Sequence, residues 1–525
     1  MSLIRSVATV GGLTLASRIL GFVRDLVTAA LLGAGVAADA FFVALQLPNM
    51  FRRLFAEGAF NAAFVPIFAE RLSRGGKQAA FNFAEAALSA LLATLMLFVG
   101  LCELFAPQLI AVLAPGFLDD TERFVLAVDL LRLTFPYLLF ISLVSLLAGV
   151  LNALDKFAAA AATPIAFNIC LIGGLLVGRF FGPSVEHALA WAVSVAGAVQ
   201  FIWLAIACRR MGLPLRLPRP RLTPEVRLLL RRALPAAIGA GAVQINLFVN
   251  LMLSSLLPAG AISFLFYANR LMELPLGIIG VALGTALLPL LAREIASGRA
   301  EQGIAHQNRG IELGLLLTLP AATAMIAVPE PLIRVLFERG AFGPEEVTGT
   351  ASALMAYGIG VPAFILIRVL VPGFHARGDT VTPLRVSVAA VVVNLALNLA
   401  LIRPLGHVGL ALATSAAAWA QGLLFVYLLH RRGQWHADRR LKRVVPRQIA
   451  AATLMGVLVA LLAYWLGPWL LGTTVARVAA LAAIVGLGAI AYFALCHLLG
   501  AARAGEVLAQ IRPRRGAAPP PDPVG

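Results

Sequence analysis

Five arginines fall inside stretches apolar enough to lie in a lipid bilayer: Arg18 and Arg24 in the first stretch, Arg52 and Arg53 at the end of the second, and Arg270 in the eighth. A guanidinium is a planar, permanently charged fork that matches the oxygens of a phosphate or a carboxylate. At about 2.5–3.5 kcal/mol each on insertion scales, five facing lipid would cost roughly 12–17 kcal/mol, so they must line a wet cavity or meet anions. A cationic interior in a membrane protein suits an anionic cargo, and two or three such forks suit a pyrophosphate better than a single carboxylate. Long apolar helices with little external domain leave room for a cargo whose greasy tail stays in the bilayer.

The elements that must position these groups are read from composition and periodicity. The 525 residues are 60% hydrophobic and 13% charged, with a mean hydropathy of +0.91, far from a soluble composition. About fourteen apolar spans are expected, near residues 10–32, 37–60, 80–105, 124–150, 163–181, 188–208, 233–257, 261–292, 311–336, 350–375, 382–402, 408–430, 447–466 and 475–499, each near the ~20 residues that cross a bilayer. The fold class is therefore an all-α polytopic membrane protein. Basic residues crowd one set of loops, namely 61–79, 209–232, 293–310, 431–446 and the tail with Arg503, Arg512, Arg514 and Arg515, whereas the other set holds Arg123, Arg339 and Arg403. Under the positive-inside rule both termini are cytoplasmic. The net charge of +17 is then a topology signal and a contact with anionic headgroups, and nucleic acid is not an expected partner. The first apolar stretch carries Arg18, Arg24 and Asp25 and is read as the first helix rather than a removable signal. The four cysteines sit in or beside apolar spans without CxxC spacing and are read as small core residues. The tail from Pro513 through Pro523 is expected to be disordered.

Helical spacing places Ser17 with Arg24 and Arg18 with Asp25 on shared faces of the first helix. In the second, Asp39, Gln46 and Arg53 recur every seven residues and Asn49 precedes Arg52 by three; in the eighth, Ser263 and Arg270 share a face and Glu273 follows one turn on. Asp25, Asp39, Glu57 and Glu273 are the acidic groups available to balance arginines. Gly21, Pro48 and Pro275 mark expected bends, which in a membrane are tolerated where freed backbone groups face protein or water.

A weak internal repeat accompanies this pattern. AAFVPIFAE (62–70) resembles TALLPLLARE (285–294) at a shift of about 224, which sets Asp39 opposite Ser263, and Asp155 with Thr163-Pro164 echoes Asp379 with Thr382-Pro383. Two six-helix lobes are expected, 1–220 and 221–432, followed by a helix pair at 433–500 and the tail at 501–525.

The runs SRILGFVRD (17–25), GAGVAADAFFVALQLPNMFRRLFAEGAFNAAFVPIFAE (33–70), YANRLMELPLGIIGVALGTALLP (267–289) and FHARGDTVTPLRVS (374–387) closely resemble the MurJ (MviN) family of bacterial lipid II flippases in the MOP exporter superfamily. The resemblance covers nearly the whole chain. It implies fourteen helices in two pseudo-symmetric lobes around a central cationic cavity in the cytoplasmic (inner) membrane. Alternating access would move undecaprenyl-pyrophosphoryl-linked peptidoglycan precursor from the cytoplasmic to the periplasmic leaflet. It implies Arg18, Arg24, Arg52 and Arg270 as substrate-binding residues, Asp39 and Glu273 as functional acids, and no cofactor, and leaves room for other cell-wall assembly proteins as partners.

Two departures from the family pattern bear on coupling. Asn269 stands where the family commonly has Asp. A sodium site carried over by resemblance would use Asn250, Asn394, Asn398 and Thr414, whereas members in which such a site is proposed have carboxylates at the first and third positions. Four neutral side chains hold a hard cation weakly, so weak or absent sodium dependence is expected, with membrane potential or protons as the driver. Two other classes compete. A cation-coupled drug or solute antiporter of the same superfamily would carry acidic rather than arginine-rich cavity helices. A polyprenyl-phosphate glycosyltransferase would need an external base or metal-binding acid, and Asp119, Asp120 and Glu122 lack a His partner. The chain has no P-loop motif and no histidine pair at metal spacing, and it is read as a transporter rather than an enzyme.

Overall fold

The computed structural model describes residues 3–53, 60–182, 184–220 and 223–501; the Pro-rich tail beyond residue 501 lies outside them. The elements are α1 Leu3–Leu32, α2 Val36–Phe51, α3 Phe60–Leu104, α4 Ala106–Leu113, a 3-10 turn Pro115–Asp119, α5 Thr121–Thr134, α6 Tyr137–Ala153, α7 Phe157–Phe180 and α8 Val185–Arg210. There follow α9 Pro224–Ser255, α10 Ala261–Ala296, α11 Ala300–Ala327, α12 Pro329–Phe337, α13 Pro344–His375, α14 Val381–Arg431, α15 Arg439–Trp465, α16 Gly467–Leu470 and α17 Thr474–Leu498. Apart from an isolated bridge between Arg339 and Phe342, no extended pairing occurs among the described residues. Among the described residues nine helical stretches, with α5 and α6 counted together as Thr121–Ala153, are long and apolar enough to cross a bilayer, so the chain is a polytopic membrane protein.

The described chain forms two compact units, one comprising Met1–Ala268, Leu336–Ala353 and Val391–Ala413, the other Asn269–Val335, Leu354–Ala390 and Thr414–Gly525. In the first, α7 packs on α1 and α8, α6 on α3 and α8, α5 on α2 and α8, and α9 on α3. Its core joins Phe64, Phe68, Phe81 and Phe83 of α3 to Leu143, Leu146, Leu147 and Val150 of α6. In the second, α15 packs on α11 and α17 around Leu316, Met455, Val459, Ile484 and Tyr492.

Several helix ends follow from local sequence. Asp120 accepts from the Arg123 amide at 3.2 Å and caps α5, so part of the acidic loop is a helix cap. Asp379 caps α14 through the Thr382 amide at 2.9 Å and also meets Arg432 at 2.8 Å. Hydrogen bonds from the Thr382 hydroxyl and amide, then the Arg432 guanidinium, hold the Asp379 carboxyl down to about 2. The fourth span, expected as one helix over 124–150, is broken at Phe135-Pro136 into α5 and α6 because proline cannot donate to the preceding turn. Pro48 in α2 likewise leaves the Ala44 carbonyl without its usual donor, and the buried Thr134 hydroxyl donates to it at 3.3 Å. Beyond Pro48, residues 52 and 53 pass into π-helical geometry. By contrast α1 stays helical through Gly21, which is buried against Asn168.

The turn after α12 fits against the end of α1 with backbone in direct contact. The Ala341 amide donates to the Ala30 carbonyl at 2.8 Å, and Gly340 has φ +59, where a Cβ would lie 2.1 Å from that same oxygen. Gly340→Ala is expected to lower the unfolding temperature in detergent, by more than about 1 kcal/mol of stability. Gly100→Ala on the exposed side of α3, with nothing within 4 Å, serves as the comparison and should leave the temperature unchanged or slightly higher.

Candidate functional site

Arg24 is largely enclosed. Its Nη2 and Nε donate to Asp25 Oδ1 at 2.6 and 3.1 Å, and its Nη1 donates to Asn168 Oδ1 at 3.1 Å. Phe167 lies beneath the guanidinium, 5.9 Å from ring centroid to Cζ. Asn168 in turn donates to the Ser17 carbonyl at 3.1 Å, so the α7 amide fixes both Arg24 and the turn of α1 that carries Ser17. The Arg24 side chain is 13% exposed and Asp25 only 3%. Asp25 thus neutralises its chain neighbour, while Arg18 is exposed on α1.

On α2 the Arg52 Nε approaches Asn49 Oδ1 at 3.4 Å; Arg52 is half-buried and Arg53 exposed. Glu57 lies outside the described residues. In the second unit, Arg270 Nη1 meets Glu273 Oε2 at 3.4 Å with the two side chains 35% and 53% exposed. Asn269 Nδ2 donates to the other Glu273 oxygen at 3.3 Å. A carboxylate at residue 269 would repel Glu273 across that short gap, whereas the amide shares it.

Asp39 is occupied differently from a counter-charge to the five arginines. Fully buried, it accepts from the Gly260 amide at 2.7 Å, the Ser263 amide at 2.9 Å, the Ser263 hydroxyl at 2.6 Å and Arg123 Nη2 at 3.1 Å. Gly260 is the residue whose carbonyl opens the first turn of α10, so a carboxylate from α2 caps the positive end of α10. Gly260 must be glycine there: its φ is +94, and a Cβ would meet the Ala34 carbonyl at 2.8 Å. Arg123, assigned from the loop charges to an aqueous face, is instead buried, stacked over Phe117 at 4.3 Å and paired with Asp39. Asp39 and Ser263, 224 residues apart, are the positions that the internal echo sets opposite each other.

The asparagines implied in a sodium site lie together in the first unit. Asn398 Nδ2 donates to Asn250 Oδ1 at 2.6 Å and to Asn394 Oδ1 at 3.0 Å; Thr414, the fourth of the set, begins a segment of the other unit. No group of three acidic, histidine or cysteine side chains suited to a metal occurs among the described residues.

Two residues with a bearing on charge at membrane depth were not singled out from the sequence. Asn168 stands as one amide in the apolar run AFNICL. Arg368 sits in AFILIRVLVPGF of α13; it donates to the Leu276 carbonyl of α10 at 3.1 Å, and its side chain lies so close to Gly280 that a Cβ there would be 2.4 Å away. A charged residue amid eleven uncharged ones was the available signal.

The family model described as lipid II flippase MurJ matches residues 28–480. The chain belongs to the MurJ family. A probable lipid II flippase MurJ of Rhizobium tropici is 42% identical over 98% of both chains, and the lipid II flippase MurJ of Burkholderia cenocepacia is 35% identical over 95% of this chain and 98% of its own. Among solved structures, a lipid II flippase MurJ in an inward closed conformation superposes with a TM-score of 0.76 at 23% identity, covering 96% of this chain and 99% of that one. An inward-facing multidrug resistance MATE transporter of the MOP superfamily gives 0.67 at 14% identity over 82% and 96%. The fold is thus that of MurJ and, more distantly, of MATE transporters.

Breaking a buried pair by removing one partner costs about 3–5 kcal/mol because it strands the other charge. Arg123→Ala and Asp39→Ala should each lower the unfolding temperature strongly. The double variant should fall short of the summed losses, a non-additivity that thermal melts of the four proteins would read.

Proposed function

We propose that this MurJ-family protein is a lipid II flippase of the bacterial cytoplasmic membrane. It carries undecaprenyl-pyrophosphate-linked disaccharide-pentapeptide from the cytoplasmic to the periplasmic leaflet, with both termini in the cytoplasm. The observation that carries the reading is full-length similarity to lipid II flippases together with arginines retained at membrane depth, where only an anion or a partner repays them. Arg18, Arg24, Arg52 and Arg270 are the residues we assign to the pyrophosphate, with Ser17, Asp25, Asn49, Arg53, Glu57, Ser263 and Glu273 supporting them and Asp39 holding the start of α10.

The chemistry asked of these residues is exchange of partners rather than bond-making. Arg24 is held by Asp25 and Asn168, and Arg270 by Glu273. A pyrophosphate competing for either guanidinium offers more oxygens and more charge than one carboxylate, and a bidentate Arg–phosphate contact is both strong and directional. The displaced acids then carry uncompensated charge, which favours a rearrangement that separates them from the cargo. Bringing arginine-bearing helix ends together without an anion between them is opposed by like-charge repulsion. Cargo would therefore bind one conformation better than the other, as any ligand-driven change requires. Membrane potential, at about 2.3 kcal/mol per charge per 100 mV, or protons would drive the return.

In a bacterium whose own flippase can be switched off, the wild-type chain is expected to restore growth and lipid II exposure at the outer leaflet. Arg24→Ala and Arg270→Ala at matched membrane abundance should each lose about 1.5–3 kcal/mol of charge-assisted binding, roughly a ten- to hundredfold loss of flipping. Exposure unchanged in both variants would make these arginines structural.

A further inference from the structure

Three asparagines at membrane depth are joined by their own hydrogen bonds. Asn394 and Asn398 lie one turn apart on α14 and Asn250 lies near the end of α9; Asn394 and Asn398 are fully covered. In this arrangement Asn398 is the shared donor. Its nitrogen faces two carbonyl oxygens, Asn250 Oδ1 at 2.6 Å and Asn394 Oδ1 at 3.0 Å, and the reversed amide would set an oxygen against both. A hard cation would need those same oxygens. Two of the three side-chain carbonyls already face a donor, and Asn398 Oδ1 alone has no hydrogen-bond partner. No carboxylate is present to offset dehydration of an ion, and Asn394 Nδ2, also buried and unpartnered, would face it with the wrong polarity.

We propose that the amide nitrogen of Asn398 takes the place of a bound monovalent cation. It draws the oxygens of α9 and α14 together by partial positive charge carried on the chain itself, so this protein has no sodium requirement. For transport the consequence rests on the flippase reading; for ion binding it does not. Replacing the amide by a carboxylate should reverse the logic. Asn398→Asp puts a carboxylate oxygen beside two carbonyl oxygens about 3 Å away, an arrangement that needs a proton or, at alkaline pH, a cation among them.

The purified full-length protein and its Asn398→Asp and Asn250→Asp variants would be melted at mildly alkaline pH in sodium chloride or in equimolar N-methylglucamine chloride, with isothermal titration of sodium alongside. Wild type should melt at the same temperature in both salts and give no saturable heat. Asn398→Asp should melt lower without sodium and regain about half or more of the loss, saturably, when sodium is added, as a ligand of the native state demands. Asn250→Asp keeps the Asn398 donor, now facing a charged acceptor, and should melt at or above wild type in both salts. Saturable sodium stabilisation of wild type, or of Asn250→Asp, overturns the proposal. So does an Asn398→Asp protein indifferent to the salt. If Asn398→Asp does not fold in either salt, the Asn250→Asp and wild-type melts still decide. Each reading is made without cargo, so failure here leaves the flippase assignment standing, and failure of the arginine variants to lose flipping leaves this result standing.

Discussion

The first unit is organised around a fully buried carboxylate. Asp39 sits on α2, yet its oxygens are spent on the N-terminus of α10 and on Arg123 of α5. An isolated ionised group in such a place would cost many kcal/mol. Four donors, one of them a cation, remove that cost, and each imposes a condition on the surrounding chain. Gly260 must take a positive φ to offer its amide, Ser263 must stand at the third residue of the helix, and Arg123 must be drawn under Phe117. The aromatic shell follows from the same packing: Phe42 stacks on Phe266 at 3.9 Å, and Tyr267 meets Phe42, Phe337 and Phe342 while its hydroxyl donates to the Gly33 carbonyl. This shell joins α1, α2, the start of α10 and the end of α12 within one unit, and keeps the ion pair dry.

A bilayer demands that every backbone group find a partner within the protein, and this explains small features that otherwise look arbitrary. Pro48 frees the Ala44 carbonyl, and Thr134 of α5 supplies the donor. That contact, the Asp39–Arg123 pair and the edge-to-face contact of Phe51 with Phe135 all tie α2 to α5. The helix bearing Arg52 and Arg53 is thereby anchored along its length, and its irregular last turn begins where the anchoring ends.

Much of this was legible in the chain because bilayer physics writes large signals. Apolar runs gave the polytopic helical class, and Arg18, Arg24, Arg52 and Arg270 stood out because each is expensive. Capping partners drawn from distant sequence were not legible. Nothing in periodicity says that Arg123, counted with the loops, turns inward to Asp39, since that depends on where α5 packs against α2. Asn168 and Arg368 are single polar residues in apolar helices, and their roles depend on which neighbour they face. The break at Pro136 was signalled by proline, but a long hydrophobic run masked it, because hydropathy is blind to hydrogen-bond continuity. Asn250, Asn394 and Asn398 enter as ligands only through the family resemblance, which cannot say whether their oxygens converge or are already donated to.

The intramembrane arginines differ in how their charge is already met, and this shapes what a cargo must do. Arg24 is saturated by a carboxylate, an amide and an aromatic face and is barely exposed, whereas Arg270 shares a more open Glu273 with Asn269. In a medium of low dielectric the same anion gains more from a guanidinium whose present partner is weakly held. Arg270 and Glu273 are both more exposed than Arg24 and Asp25. Arg24 requires that Asp25 be released into a site where it is 3% exposed, which couples its recruitment to movement of α1 against α7. An anion that displaced Asp25 from Arg24 would convert a local exchange of ion partners into displacement of a helix.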